Sequence, residues 1–180
     1  MSLAIQLPLR KDQTEFNLRV WMRLLADPEP AKFLRGFETN RHGHAVMIPL
    51  PGYHDGGRQS EIGFQLRNRL DGNVRTKCPL STADGVKVVD AVWLSYLRES
   101  TAIAGEVAGE MLIEAPEICV EVVSPSKTEV EMEERMALYF DAGAVEVWFC
   151  EKNGAMRFIG KDGPLERSLL CPDFPTMIEA

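Results

Sequence analysis

The sequence predicts a single α/β domain, on three observations. Helix-period and strand-like apolar runs alternate along the chain, turn residues separate them, and 180 residues that are 45% apolar are enough to build one hydrophobic core. No run approaches the roughly 18–20 apolar residues of a membrane span, and the N-terminal MSLAIQLPLRKD lacks a signal-peptide pattern. A cytoplasmic protein with no membrane partner is therefore expected.

The elements follow in order. Thr14 to Ala26 carries Phe16, Val20, Trp21, Leu24 and Leu25 at helical spacing, a packing or dimer helix stopped by Asp27-Pro28-Glu29-Pro30. Phe33–Asn40 and Ala45–Leu50 are extended runs around Arg41-His42-Gly43-His44, a hairpin with glycine in the turn. Pro49, Pro51 and Gly52 end it, Tyr53–Gly57 reads as loop, and Gln59–Leu70 reads as a helix closed by Asp71-Gly72. Val74–Leu80 and Val86–Leu94 are strands that pair antiparallel across Ser81–Gly85. Leu97–Ala115 is glycine-broken and acidic, either loop or weak helix.

Glu117–Val123 is apolar except for Glu121, as in a strand buried on both faces. Ser124-Pro125-Ser126 breaks it, and Ser126 with Glu129 fits a capping box opening a helix to Asp141, with Val130, Met136 and Tyr139 inward and Gly143 as its stop. Val145–Glu151 and Met156–Ile159 are strands joined by Asn153-Gly154.

Composition narrows the function. The net charge of −7 argues against a general nucleic-acid coat protein. Its distribution is uneven: Arg58, Arg67, Arg69, Arg75, Lys77 and Lys87 make one third locally basic, while Glu99 to Glu134 is rich in glutamate with Lys127 almost alone as counter-charge. Such a pattern suits a metal site that handles phosphates, and it also suits plain solvated faces. Cys78, Cys119, Cys150 and Cys171 are widely spaced without a CxxC, so buried free thiols are expected rather than a zinc ribbon or dithiol redox site.

Two carboxylates stand out. Asp90 and Glu121 each lie in an otherwise apolar strand, and burying an ionised carboxylate is costly unless it is paired or bound to a cation. A shared Mg²⁺ or Mn²⁺ answers that cost, as does a salt bridge or an exposed strand end. His42 and His44 form a His-x-His pair without a local third ligand, a weak metal signal. Lys87, three residues before Asp90, is placed on the opposite face as a surface charge. Ser124 and Ser126 read as turn and cap residues, with no histidine near enough in sequence to make either a nucleophile.

The run Cys119-Val120-Glu121-Val122-Val123-Ser124-Pro125-Ser126, a helix bearing Arg135 and Tyr139, and Gly143-Ala144-Val145-Glu146-Val147-Trp148 together resemble the Uma-two family of restriction endonucleases, within the PD-(D/E)XK superfamily. Phe37-Glu38 to Gly43, Pro51-Gly52, the helix from Gln59 and Val89-Asp90 fall in the same order, so the resemblance covers roughly Phe33 to Glu151. It implies a restriction-endonuclease-like core over residues 33–160, with a central mixed sheet flanked by helices. Residues 1–32 then form an N-terminal helical extension and 161–180 a C-terminal tail of the same single domain.

Carried over by residue, the resemblance makes Asp90 and Glu121 the metal-binding catalytic carboxylates, with Glu61 as a third acid. The superfamily's lysine, two residues after the second acid, is replaced here by Val123. In the family the basic residue sits on the following helix, four residues before the tyrosine, which is Arg135. Arginine keeps the charge and binds phosphate, but it is a poor general base. For Arg135 the residues alone equally allow a helix-surface pair with Glu131, and for Tyr139 they favour core packing with a satisfied hydroxyl over a site role.

The function implied is metal-dependent hydrolysis of phosphodiester bonds in DNA, with a homodimer suited to cutting two strands. A nuclease fold that has lost cleavage and binds nucleic acid or protein, and a hydrolase of smaller phosphorylated substrates, are the alternatives.

Overall fold

The computed structural model describes residues 9–27, 36–103, 111–124 and 127–179. Helix α1 (Arg10–Leu25) begins at Arg10 rather than Thr14, and its buried face is half polar. Trp21 packs with Phe37, Val86 and Met111, while Asn17 Nδ2 donates to Ser81 Oγ and to the Thr82 carbonyl, both at 2.9 Å. A buried amide needs such partners, and these fix where α1 crosses the chain. The proline stop at residues 28–30 and the start of the extended run at 33–35 lie outside the described residues.

Strands β1 (Phe37–Thr39) and β2 (Ala45–Met47) form the expected hairpin, with Gly43 at φ 78° in its turn. Helix α2 (Tyr53–Arg69) corrects the loop expected over Tyr53–Gly57. Adjacent glycines weaken a helix, but the Gly56 N–H donates to the Gly52 carbonyl (3.0 Å) and Asp55 complements the dipole of the first turn. Its buried stripe is Gln59, Ile62, Gly63 and Leu66, the spacing of one helical face.

β3 (Asn73–Thr82) and β4 (Gly85–Leu94) pair antiparallel and are longer than expected, because Ser81 and Thr82 stay in the ladder and Gly85, at φ 82°, completes the tight turn. A side chain at Gly85 would place its Cβ 2.3 Å from the Thr39 carbonyl.

Inward-facing residues on both strands change face midway. Val74, Ala91 and Trp93 pack under α2 with Ile62 and Leu66, whereas Cys78, Leu80 and Val89 belong to the other core layer. Strict alternation would keep Val74 and Cys78 together. The switch falls between Thr76↔Ala91 and Cys78↔Val89, at Lys77 and Asp90. Lys77, at φ 52°, is the one non-glycine with positive φ among the described residues.

The stretch left open over Leu97–Ala115 contains a short helix, α3 (Tyr96–Ala102), capped by Ser95, and then Leu112, which bridges to Leu80. Residues 104–110 lie outside the described residues. β5 (Ile118–Val122) pairs with β4 over only Ala91↔Val120, Val92↔Cys119 and Trp93↔Ile118. Helix α4 (Glu129–Asp141) then crosses over to β6 (Glu146–Cys150), which lies parallel to β5. The capping box comes two residues later than expected: the Thr128 hydroxyl accepts from the Glu131 N–H and the Glu131 carboxylate accepts from the Thr128 N–H. Ser126 lies outside the described residues.

β7 (Met156–Gly160) and β8 (Gly163–Leu165) complete a six-stranded mixed sheet in the order β3-β4-β5-β6-β7-β8. The segment expected as a tail is part of the core: Cys171, Phe174 and Ile178 pack around Trp148, whose ring lies 4.7 Å from that of Phe174. All four cysteines are free and buried, and burial pushes the Cys78 thiol up to about 12. No helix among the described residues is long and apolar enough to cross a membrane.

Candidate active site

Asp90 and Glu121 come together where β4 and β5 part. Continuing the register one step beyond Ala91↔Val120 sets the two residues side by side, and the Val122 N–H donates to Asp90 Oδ2 at 2.9 Å instead of to a strand carbonyl. The opening leads into a cleft of about 730 Å³, walled by the β1–β2 hairpin, the start of α2 and the α4 face that bears Glu131, Glu134, Arg135 and Leu138.

Asp90 is gripped from three directions. Oδ1 accepts from Lys77 Nζ (2.6 Å) and Gln59 Nε2 (3.0 Å), and Oδ2 accepts from Lys127 Nζ (3.3 Å) as well as from the Val122 N–H. Burial works to raise its pKa, but the charges of Lys127 and Lys77 and these hydrogen bonds outweigh it and hold the carboxyl below its ordinary value.

Glu121 is fully buried, and its two oxygens serve different partners. Oε1 accepts from the Tyr139 hydroxyl (2.5 Å), and Oε2 accepts from Lys127 Nζ (2.5 Å). Burial and the Glu121 charge push Tyr139 well above the usual phenol range, so it donates as a neutral hydroxyl. Its expected core packing with a satisfied hydroxyl agrees with this contact. For Lys127, burial favours the neutral amine but is outweighed by Glu121 and Asp90, which raise its pKa and keep it charged.

Arg135 does not pair with Glu131. Its Nη2 donates to both oxygens of Glu38 (2.9 and 2.8 Å), and its Nη1 donates to the Tyr139 hydroxyl (3.1 Å) and lies 3.5 Å from Glu121 Oε1. Burial disfavours its charge, yet Glu121, Tyr139 and Glu38 raise its pKa further. Glu38 Oε1 also accepts from the Val88 N–H (2.8 Å), closing the edge of β4 where β5 has left it.

Glu61 is not in this group. It accepts from Gln65 Nε2, one turn along the same helix, while Gln59 reaches Asp90. The helical stripe explains the exchange, since Gln59 shares a face with Ile62 and Leu66 whereas Glu61 is rotated off it. Lys87 corrects the expected surface charge: its Nζ is held by Asp84 (2.9 Å) and the Thr39 carbonyl (3.3 Å) and it lines the cleft, because the face switch at Asp90 breaks the alternation. His42 and His44 have rings 6.2 Å apart and stand outside the cleft lining. Val123, at the superfamily's lysine position, is buried in the apolar layer with Met132 and Tyr139.

Four residues of the cluster are not picked out as site residues by the sequence reading: Glu38, Gln59, Lys77 and Lys127. Glu38 lies in the mixed run Phe33–Asn40, which is not apolar enough to make its carboxylate stand out. The two lysines are legible only through charge distribution, Lys77 in the basic third and Lys127 as counter-charge of the acidic stretch.

A six-stranded mixed sheet with a carboxylate pair at a strand divergence defines a nuclease-like α/β fold. A solved structure from Anabaena variabilis ATCC 29413, described as a "putative nuclease belonging to DUF820", shares that fold at a TM-score of 0.58, with 16% identity and 76% of each chain covered. No curated protein matches the chain. The chain belongs to the Uma2 family, described as "Putative restriction endonuclease", which matches residues 37–167.

Among the described residues no three His, Cys, Asp or Glu side chains gather into a metal site. The donor set on offer is smaller and all oxygen. Asp90 Oδ2, Glu121 Oε2 and the Val122 carbonyl surround one position, currently held by the Lys127 ammonium at 3.3, 2.5 and 3.3 Å. Two carboxylates and a carbonyl, with room in the cleft for water and phosphate, fit a hard divalent cation such as Mg²⁺ or Mn²⁺.

Proposed function

We propose that this protein is a metal-dependent endonuclease that hydrolyses phosphodiester bonds in DNA, with Asp90, Glu121 and the Val122 carbonyl holding Mg²⁺ or Mn²⁺. The observation that carries this reading is the convergence of those three oxygens on one cation position beside the cleft, whose lining includes Asp90, Val122 and Lys127. The cleft's charge supports it as well. Glu38, Asp55, Asp84, Asp90, Glu131 and Glu134 face Lys77, Lys87, Lys127 and Arg135, so the lining alone carries a negative excess that does not attract a phosphodiester and that a divalent cation would cancel.

Bound there, the ion would polarise the phosphoryl oxygen and make water a better nucleophile at neutral pH. The chain's own residues supply position and counter-charge. Asp90 is aimed by the Val122 N–H and Gln59, and Glu121 by the Tyr139 hydroxyl. Lys77, with its side chain 40% exposed beside Asp90, is the cation best placed to meet a phosphate. Arg135, bound to Glu38 and Tyr139, acts as a positioning residue that braces α4 against the hairpin, a role different from direct phosphate binding. Two copies, each presenting one cleft, would suit a duplex.

The test is cleavage of plasmid and single-stranded DNA with Mg²⁺ or Mn²⁺ by wild type, Asp90→Ala and Glu121→Ala. Each substitution should cost at least about 10²-fold, the scale of losing one preorganised electrostatic group, and EDTA should abolish cleavage. Equal cleavage by the variants would refute the assignment. The binding-module reading has one observation in its favour, the engagement of Arg135 together with Val123 in the lysine position. Absent cleavage by folded wild type, with salt-sensitive DNA binding retained, would establish it.

A further inference from the structure

We propose that Lys127 is a tethered counter-ion that occupies the divalent-metal position in the metal-free protein, so that metal enters only by displacing its ammonium. The inference rests on the metal reading above and adds a residue which that reading does not use. Among the described residues, Lys127 Nζ touches the three oxygens assigned to the ion and no fourth: Glu121 Oε2 at 2.5 Å, Asp90 Oδ2 at 3.3 Å and the Val122 carbonyl at 3.3 Å. An ammonium on a four-carbon stem is a compact point charge, and it neutralises carboxylates whose close approach would otherwise be repulsive.

The stem has somewhere to go. Lys127 lies between the main cleft and a second hollow of about 500 Å³ on its far side, lined by Glu129 and Glu151 among others. Its side chain is 22% exposed, against 1% for Glu121, so the ammonium can leave while the carboxylate stays. A swing toward that hollow clears the position and brings the ammonium beside Glu129 and Glu151, which already pair with Arg157, with Lys152 on the same wall. Lys77 lacks this property. It contacts Asp90 through Oδ1, on the other side of the carboxylate, and does not reach Glu121.

Competition of this kind weakens metal binding. Removing a charge-assisted contact to the ligand oxygens should tighten apparent affinity by about 10-fold or more. Mn²⁺ binding to the full chain is measured by isothermal titration calorimetry for wild type, Lys127→Met, Lys127→Gln, Lys127→Arg and Asp90→Asn. Thermal melts in EDTA and in Mn²⁺ accompany each titration. The expected result is Kd at least about tenfold lower in Lys127→Met and Lys127→Gln than in wild type, with Lys127→Arg close to wild type. Both neutral variants should melt lower in EDTA and gain more from Mn²⁺. A Lys127→Met protein that folds only with Mn²⁺ gives the same answer.

Wild type that binds Mn²⁺ through Asp90, with unchanged or weaker affinity in both neutral variants, overturns the proposal and leaves the metal reading standing. Failure of every variant to bind Mn²⁺, or binding insensitive to Asp90→Asn, overturns both.

Discussion

Two carboxylates of this protein are equally buried and serve opposite ends. Glu121 is 0% exposed and Glu146 1%, and both lie in neighbouring parallel strands of the same sheet. Glu146 accepts from neutral donors: the Trp148 indole N–H (2.7 Å) and the backbone N–H groups of Leu169 (2.8 Å) and Leu170 (3.0 Å). Glu121 is met by Lys127, Arg135 and Tyr139 at the wall of a cleft. Burial therefore does not distinguish a site from a strut. Fixed N–H donors tie Glu146 to one chain segment, whereas Glu121 is met by side chains, two of them cationic, and on the metal reading proposed above a bound cation would take the place of one of them.

The comparison can be broken most directly at Glu146. Glu146→Ala leaves three N–H groups without their acceptor, at about 1–3 kcal/mol each, so urea denaturation should show a loss of about 3 kcal/mol or more. Mn²⁺ affinity of the folded fraction should be unchanged. A large change in Mn²⁺ affinity would mean that the two carboxylates are not independent.

Tyr139→Phe probes the other end with a smaller effect. It removes the hydroxyl shared by Glu121 and Arg135, at about 1–2 kcal/mol, while the ring keeps its packing. Stability unaltered by this change would show that the hydroxyl bond does not anchor Glu121.

The smallest effect is in pH. Because its cationic partners hold the Asp90 carboxyl below the ordinary value, its contribution to stability is complete above about pH 4 and is lost as pH falls through the lowered folded-state pKa. The stability gap between wild type and Asp90→Asn should hold from pH 7 to about pH 5 and narrow below about pH 4. A gap constant down to about pH 3 would remove cation pairing from the account of this carboxylate.

Much of this was legible before the structure. The mixed α/β architecture followed from alternating periodicities, and Asp90 and Glu121 stood out because apolar strands do not hold carboxylates without cause. The same reasoning selects Glu146 equally well, since only the fold reveals which donors arrive. The resemblance points to Glu61 as a third acid, whereas the helical stripe that decides which side chain faces inward contains Gln59. Lys77 was hidden because its orientation depends on a left-handed backbone that no periodicity announces. Lys127 was hidden because it follows a turn, six residues after Glu121 rather than two. The first turn of α2 was missed through its glycines, and the C-terminal packing because Cys171, Phe174 and Ile178 follow no repeating pattern.

The three-residue seam between β4 and β5 has a kinetic consequence. Lys77 and Asp90 belong to one β3–β4 hairpin built from contacts close in sequence, whereas β5, which carries Glu121, must be brought across a longer stretch of chain both to β4 and to β6. Local units of this sort form early, and the joining of distant ones comes later because the intervening chain must first be closed. Cleft assembly therefore waits on the closure of β5 onto the β3–β4 hairpin, and the Val122 amide, which donates to Asp90, is the expected reporter of that closure in hydrogen exchange.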